Sequence, residues 1–287
     1  MRAYTPVLAA GRRHSVGRRR DGTVVAVGNN AAGECRTGQW EDVAAVAAGN
    51  VHTAANTGRS HTVGLRSDGT VLATGWNGDG QCDVAAWRDV TAVAAGWRRT
   101  LGLLADGTVL AAGRNSEGQC DVQSWREMVA LSCGDWHSAG VRADGSALAA
   151  GSNRRGQCAV DDWRDLTAVA AGYLHTAAVR GDGRVLAAGD RTTGACDVGA
   201  WEDVVALAAG SYHTVAVTAS GRVMAAGDNS HGQCEVGGWQ DIVAVAAGSV
   251  HTLGLRADGT VVSAGNNASC QCDVGSWSGI QVPGASP

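Results

Sequence analysis

Short apolar runs closed by Gly or Asp-Gly alternate with short polar loops along the whole chain. Residues 166–203 show the pattern. LTAVAAG is a small apolar run, HTAAVR alternates and ends at GDG, RVLAAG is a third run closed by DRTTG, and ACDV leads to Trp201. Runs this short, set between turn residues, predict antiparallel β-strands. No stretch sustains a 3.6-residue period, so almost no helix is expected. Each unit therefore reads as four strands.

The unit is copied. Trp40, Trp87, Trp125, Trp163, Trp201, Trp239 and Trp277 stand 47 residues apart once and 38 apart thereafter, each five residues after a Cys. Two combs in one register mark seven repeats. A sheet of four short strands cannot bury both faces alone, but seven of them around an axis can, which is the propeller solution. An open solenoid needs atypical capping repeats. The first copy begins near Pro6 and the last ends near Trp277 without such caps. The expected fold is all-β: a seven-bladed β-propeller with four antiparallel strands per blade, filling residues 1–287 as one domain. The tail GIQVPG starts like an eighth first strand and stops at Pro283, so it is expected to help close the ring beside the N-terminal segment.

The invariant positions read as scaffold. One Trp per blade is a large apolar filler between blades. The comb cysteines, placed on fourth strands about 15–20 Å apart by strand spacing, are too distant for disulfides and read as small buried hydrophobes. Cys133 and Cys270 lie outside the comb, and Cys270, where six copies have Gly, is the better candidate for a reactive thiol. His14, His61, His137, His175, His213 and His251 form a third comb, with Arg99 in the third place. Neighbours about 10 Å apart cannot share a zinc ion, so each imidazole is expected to bond the backbone of its own loop, and no metal is expected. In repeat two, His52 and His61 both fit the frame. The Asp-Gly pairs are hairpin turns.

Antiparallel alternation puts the Gly-x-x-His turns and the G-x-N-x-x-G loops on one side of the disc, and the Asp-Gly turns on the other. Apart from the comb there are six aromatics, and five of them (Trp76, Trp97, Trp136, Tyr173, Tyr212) occupy variable positions of the first side, Tyr4 being the sixth. Arg12, Arg13, Arg98, Arg114, Arg154 and Arg155 gather there too, while Arg99 and Arg191 replace frame residues. Trp, Tyr and Arg dominate binding hot spots, and loops on a rigid scaffold carry function. The expected binding face comprises Arg12, Arg13, Trp76, Trp97, Arg98, Arg99, Asp135, Trp136, Arg154, Arg155, Tyr173, Arg191, Tyr212 and His231. Within it, Arg98, Arg99, Asp135, Trp136 and His231 could line an anion- or aromatic-binding pocket in the axial funnel. The nine extra residues of repeat two fall between Gly49 and His61, on the same side.

Composition narrows the function. All 23 cationic side chains are Arg and the net charge is −4, which gives no electrostatic case for nucleic acid. There is no apolar span of membrane length and no secretory leader pattern at the start. Nine cysteines with periodic spacing fit a reducing, cytoplasmic setting better than a disulfide framework. The Arg-, Ala- and Gly-rich usage suggests a bacterial, GC-rich genome. No nucleophile elbow, zincin, P-loop or dinucleotide fingerprint is present, so neither catalytic residues nor a cofactor are expected.

The unit AAG-x-x-H-T-x-G-L-R-x-D-G-T-V-x-A-x-G-x-N-x-x-G-Q resembles the regulator of chromosome condensation repeat across nearly all of residues 7–277. The resemblance implies a seven-bladed propeller but fixes no function. The family's founder is an exchange factor for a nuclear GTPase and binds chromatin. This chain has no basic arm, so that role is not carried over. The function expected is a non-catalytic module that binds another protein. The alternative is a small-molecule-binding propeller, or an enzyme of secondary metabolism, with its site in the axial funnel.

Overall fold

The computed structural model describes residues 6–52 and 59–284. Its regular structure is seven antiparallel sheets arranged as blades of one ring, and no helix occurs among the described residues. Blade five is typical: Leu166–Ala171, His175–Arg180 and Val185–Gly189, in that order across the sheet. In each blade the middle strand is buried along almost its whole length. No described helix is long and apolar enough to cross a membrane.

Each blade has three strands, not the four expected. The fourth segment folds into consecutive turns instead of pairing. In blade two the amides of Gly80, Asp83 and Trp87 bond the carbonyls of Asn77, Gly80 and Val84, so these groups are satisfied locally and none is left for a ladder. Gly80 is left-handed here (φ 83°), and the Asn77 side chain accepts from the Cys82 amide.

The core lies between blades. Seven apolar clusters each join residues of two neighbouring blades. The comb tryptophans fill these junctions as expected. The Trp40 ring lies where a Cβ on Gly64 would come within 2.8 Å of it, and Trp277 presses on Gly17 in the same way. Each blade is also tied to the next at the Asp-Gly side. The Asp of Trp-x-Asp adopts φ of 57–58° in five copies, with Glu127 in the sixth, a conformation that Asp tolerates better than most residues. The residue after it then donates to the turn glycine, as Val43 does to Gly22.

The ring closes non-covalently. Gly279 (φ 66°) takes the Asp place. The Ile280 amide donates to Gly259, Ile280 bridges Arg19, and the Gln281 amide donates to Arg18. Leu8–Ala10 then carries the same strand onward against Ser15–Gly17. The first strand of blade one is thus built from both ends of the chain, as the tail sequence suggests.

Around the axis the seven first strands line an apolar channel of about 500 Å³, walled by Ala, Val and Leu. Because the third strand ends beside the start of the second (His61 opposite Gly75), the Gly-x-x-His turns and the loops after the third strands share one face. The Asp-Gly turns occupy the other.

Candidate functional site: the variable-loop face

The floor of this face is a belt of hydrogen bonds between blades. His14 Nε2 lies 2.9 Å from Thr62 Oγ1, and the same contact recurs from His61 to Thr100, His137 to Thr176, His175 to Thr214, His213 to Thr252 and His251 to Ser15. Each hydroxyl donates its own proton to a loop carbonyl of the preceding blade, as Thr176 does to Gln157 at 2.7 Å. It must therefore accept from the imidazole, which fixes a neutral ring protonated on Nε2. The expectation that each His bonds its own loop is corrected. The nearby loop Gly instead provides room, since a Cβ on Gly172 would sit 2.3 Å from His175 Cε1. Burial pushes these six histidines down to about 3 or 4. In repeat two it is His61, not His52, that holds the frame.

Arg99 continues the belt in blade three. Its Nε donates to Ser138 Oγ at 3.0 Å, and its terminal nitrogens donate to the carbonyls of Gly134, Asp135 and His137 in blade four. The position requires a donor aimed at the next blade, and a guanidinium meets that requirement several times over.

Above the belt lies the first variable residue after each loop Gly. Arg12, Asn50, Trp97, Asp135, Ser211 and Ser249 are buried there, and Tyr173 is half-buried. Trp97, Asp135, Tyr173 and Ser249 among them hold the start of the insertion. Ser249 Oγ donates to Asn50 Oδ1 and to the Val51 carbonyl. Asp135 Oδ2 accepts from the His52 amide at 2.6 Å and lies 2.8 Å from its Nδ1. The His52 ring stacks on Tyr173 (centroids 4.4 Å apart) and meets Trp97 and Trp136 at 5.8 and 5.9 Å. Burial raises the Asp135 carboxyl, and the His52 hydrogen bonds oppose that rise. Residues 50–52 thus reach contacts in blades three, four, five and seven, roofing the channel mouth.

Outside this roof runs an aromatic and cationic arc. The Arg98 guanidinium lies 4.5 Å from the Trp76 ring and 4.7 Å from Trp97. Arg114 lies 4.8 Å from Trp97 and 5.4 Å from Trp136. Trp97 packs edge-on against Trp136 at 4.5 Å, and Tyr173 against Tyr212 at 5.3 Å. Asp79 and Glu117 pair with Arg98 and Arg114.

The sequence of every blade but the fifth matches the profile of the regulator of chromosome condensation (RCC1) repeat, over residues 8–34, 56–81, 90–119, 128–157, 204–233 and 242–271. The chain belongs to the RCC1 repeat family. No curated protein matches it significantly. Among solved structures, this RCC1-repeat chain is similar to Prp20p of Saccharomyces cerevisiae, whose binding to Gsp1p and histones has been characterised. The two share 16% identity over 98% of this chain and 86% of that one, with a TM-score of 0.69. The ectodomain of the receptor kinase CR4 from Physcomitrella patens is similar at 16% identity, over 91% and 73% of the two chains, with a TM-score of 0.71. The ectodomain of Arabidopsis thaliana ACR4 follows at 21% identity, 77% and 84% coverage and a TM-score of 0.62. At these identities the likeness concerns the fold.

Within the RCC1-repeat ring, the expected binding residues divide. Trp76, Arg98, Trp136, Tyr173 and Tyr212 stay partly accessible in the arc, and Arg13, Arg154, Arg155 and Arg191 are exposed. Arg12, Trp97, Arg99 and Asp135 are buried, so they shape the face rather than touch a partner directly. The funnel pocket expected from Arg98, Arg99, Asp135, Trp136 and His231 does not assemble. Arg98 stacks on the arc, Arg99 is spent on blade four, and His231 sits on the exposed blade-six loop against Ser230 Oγ. His52 is the residue that sequence reasoning left undecided, and the nine-residue insertion was its signal.

The seven comb cysteines close the turns that replaced the fourth strands. Each thiol donates to the carbonyl six residues earlier, as Cys120 does to Arg114 at 3.1 Å. Burial drives several of these thiols up to about 11 or 12. Cys270 is exposed with φ 62°. Its hydrogen bond to Asp273 raises its pKa, so this thiol is accessible without being activated.

Proposed function

We propose that this RCC1-repeat propeller is a non-catalytic protein-interaction module that engages its partner through the variable-loop face. The observation that carries the proposal is the arc of Trp76, Arg98, Arg114, Trp136, Tyr173 and Tyr212, continuous across blades two to six. Its residue types are those that anchor interfaces, and the His belt beneath holds them rigid. Preorganised aromatic anchors bind with little loss of side-chain freedom. Prp20p, with the same fold, binds proteins, which supports the mode of binding and names no partner here.

The test is site-specific photo-crosslinking in the native host. A crosslinking side chain at Trp136 or Tyr212 is expected to capture one discrete adduct, whereas the same group at Asp182, on the opposite face, captures none. Truncating Arg98 and Trp136 together should weaken binding by at least 30-fold, at about 2 kcal/mol for a hot-spot residue. Equal capture from both faces would refute the proposal.

One observation favours a second use. The channel of about 500 Å³ is apolar, has the size of a small-molecule site and lies beneath residues 50–52. An apolar ligand held there would co-purify and appear in native mass spectra. A ligand-free spectrum of protein from its native host would count against this use.

A further inference from the structure

Six blades fill one place in the same way. The side-chain oxygen of Gln81, Gln119, Gln157, Gln233, Gln271 or, in blade one, Glu34 accepts from the amide two residues earlier in its loop. In blades six and seven the Gln nitrogen also donates to the residue after the third strand. Gln233 Nε2 lies 2.8 Å from Asp228 Oδ2, and Gln271 Nε2 lies 3.3 Å from Asn266 Oδ1. These carboxamides are buried and serve as an internal clamp.

Blade five departs from this. Its residue is Ala195, which has no side-chain oxygen for the Thr193 amide and no nitrogen for Asp190, the counterpart of Asp228. Between blades five and six lies a cavity of about 180 Å³. It is lined by Asp190 and Thr193 together with Ser211, Tyr173 and Tyr212. Ser211 is buried, and its Oγ has no hydrogen-bond partner. The Asp190 carboxylate is held in place, Oδ1 accepting from the Thr192 amide and hydroxyl and Oδ2 lying 3.6 Å from Arg155 Nε.

We infer that this cavity is a binding slot for a primary carboxamide supplied from outside the chain. The other blades define the chemistry. An amide NH2 would donate to Asp190, as Gln233 does to Asp228. An amide oxygen would accept from the Thr193 N–H, as Gln233 does from His231. The Ser211 hydroxyl supplies a further polar contact, and the Tyr173 and Tyr212 rings flank the group. A carboxylate would meet Asp190 with like charge, and an N,N-dialkylated amide has no N–H to donate. The slot therefore discriminates among groups of the same shape. The amide could come from a free small molecule or from a Gln or Asn side chain of a partner. The inference is independent of the protein-partner proposal.

The test compares propionamide, propionate and N,N-dimethylpropionamide by protein-observed NMR with the full chain. Propionamide should saturate resonances of Thr193, Ser211 and Tyr212, in the millimolar range expected of so small a ligand, and the other two should bind at least tenfold more weakly. Ala195→Gln, which restores the clamp of the other blades and so preserves the fold, should abolish propionamide binding. N-acetyl-glutamine N-methylamide distinguishes the sources. Binding tighter than propionamide marks a partner side chain, and equal or weaker binding marks a free amide. If the three probes bind alike, if none binds, or if Ala195→Gln binds propionamide as the wild type does, the inference is overturned.

Discussion

A histidine in the belt is fixed by what it must do for its neighbour. Its Nε2–H is needed by a hydroxyl whose own proton is already committed, so the place accepts any donor, including Arg99, and excludes an acid. The sequence displayed the His comb and its one substitution clearly. What it concealed was the partner, because the contact spans 39 residues in most cases and no local pattern marks it. The belt has a consequence for pH. Folded-state values of about 3 or 4 lie well below the ordinary 6.5. The stability they contribute is complete above pH 6.5 and is lost as pH falls toward 4, at up to about 1.4 kcal/mol per pH unit for each His. Asp135 and Glu34, both raised by burial, act in the opposite sense, two groups against six. Thermal unfolding followed from pH 7.5 to 4 should show the melting temperature falling steeply below pH 6.5, and an unchanged melting temperature down to pH 4.5 would contradict this account.

At the scale of the element, the loop glycine before each belt residue is set by the imidazole's volume. Gly172→Ala would place a methyl 2.3 Å from His175 Cε1 and 2.4 Å from the Gly210 carbonyl. A cost of about 2–3 kcal/mol is expected from such overpacking. Gly199→Ala, with nothing within 4 Å, should be near neutral. Urea denaturation of the two variants side by side tests the contrast. The three paired strands and their turns were legible because Gly and Asp-Gly punctuate them. The fourth was misread because CDV looks like strand sequence. Although the Cys recurs in every copy and the Asn in all but the fifth, their sequence does not reveal that the Asn-to-Cys amide bond and the thiol bond curl the segment into turns. The facing of the loops followed from alternation alone. The burial of Trp97, Arg12 and Asp135 did not, because it depends on where the insertion lies.

For the whole molecule, the blade junctions share the same apolar packing, but among the described blades only blade one has a first strand made of two separate stretches of chain, joined without a covalent bond. There the backbone is held by the amides of Ile280, Gln281, Arg18 and Arg20. Hydrogen exchange under native conditions should therefore be faster at Arg18, Arg20 and Gln281 than at their equivalents in the middle blades. Matching protection would mean that opening is global. Replacing the buried Ile280 with Asp should accelerate exchange in blades one and seven before any other.

That joint behaves as a clasp on a bracelet. Tension or partial denaturation applied to the ring has one preferred place to release, and the released form is a linear array whose end blades expose the surfaces that normally meet each other. Two such arrays from different molecules present complementary ends, so the same feature that completes the ring within one chain provides the route by which crowded, stressed chains would join end to end.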